Sequence, residues 1–298
     1  MNTQSVAFIG LGNMGGPMCQ NLLTSGYRVS AYDLNQTVCE TAKGAGAEIA
    51  NSAKEACANA NVVITMLPAG QQVIGVWSTI MSHAPANTLL IDCSTIDVHS
   101  ARRAHDLAAT YGLDSLDAPV SGGVSGARNA TLTFMAGGTS KAYACAEPIL
   151  LKMGKQAFHC GGAGAGQAAK ICNNMLLAIS MIGVSEALNL GQKLGLENQV
   201  MYDVMTASSG RCWSLETYCP VPGPVPSSPA NNHYKPGFAT TLMLKDLGLA
   251  QAVATAENVT TPLGQKAQDI FTAFAAAGGG NLDFSGVINF LKEQTRPA

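Results

Sequence analysis

Gly10, Gly12 and Gly15 stand at GxGxxG spacing. They follow a short apolar strand-like run, residues 5–9, and open a helical stretch from Met14 to Ser25 with Gly26 at its C-terminal end. In such a turn Gly10 permits the tight exit from the strand. Gly12 lets a pyrophosphate approach the backbone, and Gly15 lets the helix lie close on its strand. The backbone N–H groups of Leu11, Asn13 and Met14, with the positive end of the helix, then face phosphates. A second strand over residues 27–32 delivers Asp33. A carboxylate there accepts hydrogen bonds from the adenosine ribose and repels a 2′-phosphate. Strand, glycines, helix and acid in this order point to a dinucleotide. Asp33 favours NAD over NADP, with Arg28 weighing on the other side.

A bound nicotinamide needs a general acid/base beside the hydride-transfer carbon and an anchor for the substrate. Lys170 is the best candidate for the first role. It lies one turn into a helix that is apolar around it, with Asn173 and Asn174 at i+3 and i+4. Desolvation of a lysine favours its neutral, proton-accepting form. A helical lysine in isolation is more often a solvated surface residue; the apolar neighbours and the Asn pair tilt this one towards chemistry. The loop Ser121-Gly122-Gly123 is the second candidate, with backbone N–H groups for an anion. A plain glycine-rich turn explains it equally well. Lys245-Asp246 interrupts an apolar run and reads first as an interhelical ion pair. The five His residues have no partner spacing, so none is promoted to ligand or base.

These residues need elements to hold them. After Asp33 the chain alternates helices (35–43 and 52–58) with apolar strands (62–67 and 88–93), as in a parallel sheet buried on both faces. Pro68 ends the first of those strands; Ser94 and Thr95 follow the second, and Asp97 caps the helix running to about Tyr111. Open α/β sheets bind ligands at the carboxyl ends of their strands. Leu67-Pro68 and Ser94-Thr95 therefore stand where a nicotinamide ribose can lie, although capping alone also explains Ser94 and Thr95. Strands follow at 113–118, 131–136 and 157–160, with a helix at 141–152 and a loop from Pro119 to Gly126. Beyond the glycine cluster at 161–166 strand signals nearly vanish. One long helix, 167–194, apolar all round, is expected to be buried centrally. Further helices are expected at 197–207, 240–257, 262–277 and 284–291, and the proline-rich stretch 220–236 must be irregular. The fold class is α/β: a Rossmann-type NAD-binding domain, residues 1–164, followed by an all-α substrate and dimerisation domain, residues 165–298.

At 298 residues the chain can build two cores. Charged residues make up 12% and the net charge is −2, so no basic surface suggests nucleic acid. Nine cysteines without a CxxC pair suit reduced cytoplasmic thiols and give no metal-ligand spacing. Residues 1–4 lead straight into a strand, so no signal peptide is expected, and no uninterrupted apolar run approaches a membrane span. Sparse charge on an apolar helical domain suggests buried surface between subunits.

The chain resembles the β-hydroxyacid dehydrogenases almost end to end. The resemblance rests on residues 10–15, on Asp117-Ala118-Pro119-Val120-Ser121-Gly122-Gly123, on residues 164–174, and on Lys245-Asp246-Leu247. Two further stretches, residues 208–214 continuing to 220–223 and Asp283-Phe284-Ser285, resemble the branch that acts on 3-hydroxyisobutyrate. The resemblance implies Lys170 as acid/base, assisted by Asn174, and Ser121, Gly122 and Gly123 binding the substrate carboxylate. It implies Leu67, Pro68 and Thr95 against the nicotinamide half of NAD, with Lys245 reaching the cofactor and Asp246 supporting the site. It also implies a homodimer or homotetramer and no metal. Asn129-Ala130 departs from a family pattern that often has glycine before Thr131. The alternatives are a serine dehydrogenase, a tartronate semialdehyde reductase or, in another class, a non-catalytic NAD sensor.

Overall fold

The computed structural model describes residues 4–294. The chain separates into two compact units that divide between Lys170 and Ile171.

In the first unit strands and helices alternate. β1 (Ser5–Ile9), α1 (Gly15–Thr24), β2 (Arg28–Tyr32), α2 (Gln36–Gly44) and β3 (Glu48–Ile49) make the first half. α3 (Ala53–Cys57), β4 (Val62–Thr65), α4 (Gly70–Ile80), β5 (Leu89–Asp92), α5 (Val98–Thr110) and β6 (Ser115–Asp117) follow. The helix starts are written locally: Asn35, Ser52 and Asp97 each accept a backbone N–H at the N-cap. These six strands are parallel and ordered β3-β2-β1-β4-β5-β6, the doubly wound order whose ligand crevice opens between β1 and β4. Every residue of β4 and β5 is buried, because helices cover both faces. α4 occupies a stretch to which the sequence reading assigns no element. Its signal is the spacing of buried Val73, Trp77 and Ile80.

β7 (Val120–Ser121), α6 (Gly123–Arg128), β8 (Leu132–Gly138), α7 (Ser140–Met153) and β9 (Gly154–Gly161) complete the unit. The expected loop from Pro119 to Gly126 is instead a short strand and the first turn of α6. β8 runs antiparallel to β6 and β7, and parallel to β9. Only the last residues of β6 and β8 overlap, Asp117 opposite Gly137 and Leu116 opposite Gly138. β7, β8 and β9 therefore project past the carboxyl edge of the parallel strands.

α8 (Ala165–Lys193) begins within the glycine cluster at 161–166, and the division between units falls inside it. The second unit continues with α9 (Asn198–Ala207), α10 (Trp213–Glu216), α11 (Thr240–Ala256), α12 (Pro262–Ala276) and α13 (Val287–Gln294). Residues 220–236 are irregular apart from a 3₁₀ turn at Pro229–Asn232. Ala178, Met181 and Ile182 of α8 pack with Met243 and Leu247 of α11 and Phe271 and Phe274 of α12. α8 departs from the expected all-round burial. Leu176 and Leu190 on it are 63% and 62% exposed. The helix is also long and apolar enough to cross a membrane by length and composition, contrary to the sequence reading. Its buried residues are those of a protein core.

Candidate active site

The turn after β1 has the geometry a dinucleotide requires. Gly10 takes φ +95° and its N–H donates to the Tyr32 carbonyl at 2.9 Å, binding the turn to the end of β2. A Cβ on Gly15 would strike the Gly10 carbonyl and the Phe8 ring, so β1 and α1 approach closely only with glycine there. A Cβ on Gly12 would meet nothing within 4 Å and would fill open space before α1. Met14 at the N-cap gives α1 no side-chain acceptor, and its first turn has no acid. This leaves a positive helix end for phosphates. Leu11 is buried, Asn13 exposed. Asp33 accepts from the Leu11 and Asn35 amides at 2.7 and 2.8 Å. Arg28 lies at the opposite end of β2, 3.8 Å from Glu48, and so stands away from Asp33. Cradle, uncapped helix and acid fit NAD.

A second network sits at the ends of β4 and β5. Asp92 is fully buried, and its Oδ1 accepts from Thr65 Oγ1 at 2.7 Å and Ser94 Oγ at 2.6 Å. Trp77 Nε1 donates to Thr65 Oγ1 at 3.3 Å, and the Leu67 amide donates to Ser94 Oγ at 2.7 Å. Leu67-Pro68 and Thr95 are thereby fixed at neighbouring strand ends, and Thr95 is half-buried between buried Ser94 and Ile96. Asp92 Oδ2 has no hydrogen-bond partner among the described residues. Burial pushes this carboxyl up to about 6, against the pull of hydrogen bonds from Ser94 and Thr65; the Asp117 charge adds to the rise.

The start of α8 is fastened to the same edge. Asp117, at the end of β6, accepts from the amides of Gly164 (2.8 Å) and Gln167 (2.9 Å). His105 Nε2 lies 2.9 Å from Asp117 Oδ1, and Ser115 Oγ lies 2.8 Å from His105 Nδ1. His105 thus has a positional role that sequence spacing does not disclose. Lys170, one turn further along α8, is 6% exposed. The burial expected of an acid/base lysine is met.

Ser121 ends β7 opposite Thr133. Because β7 and β6 are both antiparallel to β8, β7 points the same way as the parallel strands, and Ser121 lies beyond their carboxyl edge. Gly122 and Gly123 follow with φ +133° and +61°, values that favour glycine at both positions. β6 and β7 meet β8 in one continuous antiparallel register, from Leu116 opposite Gly138 to Ser121 opposite Thr133, so β7 continues the line of β6, the strand beside β5.

In the second unit Asn174 is 2% exposed and donates through Nδ2 to Asp246 Oδ2 in a short hydrogen bond. Asn173 is exposed and donates to Asn174 Oδ1 at 3.0 Å. Asp246 is 4% exposed, and Lys245 beside it on α11 is half-buried. Asp246 accepts this hydrogen bond and so orients Asn174. Asp283 is a hub that sequence reading identifies only as a branch marker. Its carboxylate accepts from Tyr218 Oη (2.9 Å), the Gly237 and Phe238 amides (2.9 and 3.0 Å) and Ser285.

Comparison with known proteins agrees with this arrangement. A family profile described as the NAD binding domain of 6-phosphogluconate dehydrogenase matches residues 5–162. Another, described as NAD-binding of NADP-dependent 3-hydroxyisobutyrate dehydrogenase, matches residues 164–291. A probable 3-hydroxyisobutyrate dehydrogenase of Mycobacterium tuberculosis is 51% identical over 288 residues, 97% of this chain and 98% of that protein. The NAD-dependent L-serine dehydrogenase of Pseudomonas aeruginosa is 47% identical over 296 residues, 98% of this chain and 99% of that protein. A solved structure of the M. tuberculosis 3-hydroxyisobutyrate dehydrogenase with L-serine superposes with a TM-score of 0.94, at 51% identity over 97% of this chain and 99% of that one. On the strength of two matching profiles that together span the chain and of relatives near half identity end to end, the chain belongs to the β-hydroxyacid dehydrogenase family, in its 3-hydroxyisobutyrate dehydrogenase branch.

Proposed function

We propose that this chain is an NAD-dependent dehydrogenase that oxidises 3-hydroxyisobutyrate to methylmalonate semialdehyde, a step of valine breakdown. The observation that carries this reading is the buried Lys170. It sits on the helix whose first turn is tied to Thr95's neighbours at the cofactor edge of the sheet.

The Ser121 hydroxyl and the Gly122 and Gly123 amides hold the substrate carboxylate. Neutral Lys170 Nζ takes the hydroxyl proton as the carbonyl forms. Asn174, oriented by Asp246, orders the substrate hydroxyl beside Lys170. Bound NAD supplies the hydride acceptor. Gly10, Leu11, Gly12, Asn13, Met14 and Gly15 receive the pyrophosphate, and Asp33 the ribose. Leu67, Pro68 and Thr95 face the nicotinamide half, and Lys245 is assigned to the cofactor. In the reverse direction protonated Lys170 is the acid.

We assign residues 1–164 to cofactor binding and 165–298 to substrate binding and dimerisation. The exposed Leu176, Leu190 and Leu194 of the α8 segment, with Val200 and Val204 of α9, support a homodimer or homotetramer. Nine free cysteines suit the cytoplasm.

A second reading, L-serine as substrate, is favoured by the 47% identity to an L-serine dehydrogenase. The test is a substrate panel with purified protein, each acid assayed with NAD and NADP by the absorbance of reduced nicotinamide. The highest kcat/KM is expected with 3-hydroxyisobutyrate and NAD. Much faster turnover of serine overturns the substrate assignment. NAD binding without hydride transfer from any acid makes the protein an NAD sensor.

A further inference from the structure

Gln167 is fully buried on the first turn of α8. Its side chain reaches the segment after β5 with both ends of its amide. Nε2 donates to the Ser94 carbonyl at 2.7 Å, and Oε1 accepts from the Ile96 amide at 3.1 Å. The two bonds bracket Thr95. The Gln167 amide in turn donates to Asp117 Oδ2 at 2.9 Å, so the same residue is fixed to the end of β6. Lys170 follows three residues later, nearly one helical turn on.

We propose that Gln167 is a positioning residue for hydride transfer, holding Thr95 and Lys170 in one register. This role rests on the dehydrogenase reading above. The bracket replaces two backbone groups' contacts with water by one rigid amide, and both groups would be left unsatisfied in a buried place if it were removed. Thr95 belongs to the cofactor side of the reaction and Lys170 to the proton side. The reaction needs both within a fraction of an ångström of their working positions.

The test compares Gln167→Met, which keeps length and loses both bonds, with Gln167→Glu, which keeps an acceptor for Ile96 and loses the donor to Ser94. Gln167→Met is expected to lower kcat for 3-hydroxyisobutyrate by roughly 10- to 100-fold while KM for the acid changes less than about 3-fold. In cofactor-free protein, hydrogen exchange at the Ile96 amide is expected to speed up by at least about 10-fold, with the β1 amides unchanged. Gln167→Glu should fall between wild type and Gln167→Met in both readouts. Normal kcat in the Met variant overturns the role. So does a loss of kcat accompanied by faster exchange throughout β1, which would mean general loosening. A wild-type protein that oxidises neither 3-hydroxyisobutyrate nor serine overturns the dehydrogenase reading and this role with it. An active wild type with an equally active Met variant overturns the role alone.

Discussion

Asp33 Oδ2 accepts the Leu11 amide at 2.7 Å, so the acid we assign to the ribose also holds the glycine turn. A carboxylate has about four acceptor positions, and the Leu11 and Asn35 amides take two. Two remain for the ribose hydroxyls. Asp33→Ala is expected to lower kcat/KM with NAD by roughly 10- to 100-fold, the cost of one or two hydrogen bonds to a charged group. It should also narrow the preference for NAD over NADP, since the repulsion of a 2′-phosphate goes with the charge. The ratio of kcat/KM for the two cofactors measures this, and an unchanged ratio refutes it.

Lys170 gives the sharpest test of the chemistry. Lys170→Ala is expected to lower kcat by roughly 100- to 10,000-fold, the range for loss of a general acid/base, with NAD affinity unchanged within a few-fold. Lys170→Arg should not restore activity, because a guanidinium stays protonated and cannot accept the hydroxyl proton. Steady-state kinetics with a direct NAD binding measurement separate the two effects.

Two glycines of one motif should fail in different ways. At Gly12 an added methyl enters open space. Gly12→Ala should keep stability within about 0.5 kcal/mol and still weaken NAD binding by the intrusion. At Gly15 the methyl meets backbone at the Gly10 carbonyl, which cannot move aside without breaking the turn. Gly15→Ala should therefore lower the melting temperature before cofactor is added. Thermal melts with and without NAD distinguish these outcomes.

The Asp92 carboxyl is raised by burial to about 6, against an ordinary 3.8. The unfolded chain releases this proton at lower pH than the folded chain. Over that interval the unfolded state binds fewer protons, so stability falls as pH rises. The contribution of the neutral carboxyl is full below about pH 4 and lost by a little above pH 6, on the order of 3 kcal/mol. Asp92→Asn should remove that slope from denaturant unfolding measured between about pH 4 and pH 7. Parallel curves for the two proteins count against a buried carboxyl at this position.

Ala130 takes φ +53°, the left-handed region, at the position where the family often has glycine. An L-residue there costs about 1 kcal/mol or more, partly offset by the entropy glycine loses on folding. Ala130→Gly is expected to stabilise the protein by about 0.5 kcal/mol, read as a higher denaturation midpoint.

Much of the first unit was legible because its signals are local. The apolar runs of β4 and β5 declare burial on both faces, and Asn35, Ser52 and Asp97 each cap the helix that follows within three residues. α6 was hidden because Gly123 and Gly126 lower helical propensity, and tertiary packing overrides it. The site was legible as residue types and not as connections. Lys170 and Asp33 announce their chemistry, whereas Asp117 acquires its partners from 47 and 50 residues away. The exposed side of α8 differs from the sequence reading because apolar composition alone does not tell a buried face from an exposed one.

Asp283 has a consequence for where the irregular stretch can vary. Tyr218 is bound to it from one side of the irregular stretch, and Gly237 and Phe238 from the other. One carboxylate thus clips together both roots of a loop that carries few regular hydrogen bonds of its own. Val221 and Val225 between the roots are buried with Val184, Leu188 and Ile288, so change is tolerated at the exposed positions, such as Pro222, Gly223, Pro226 and Ser227, and not at these anchors.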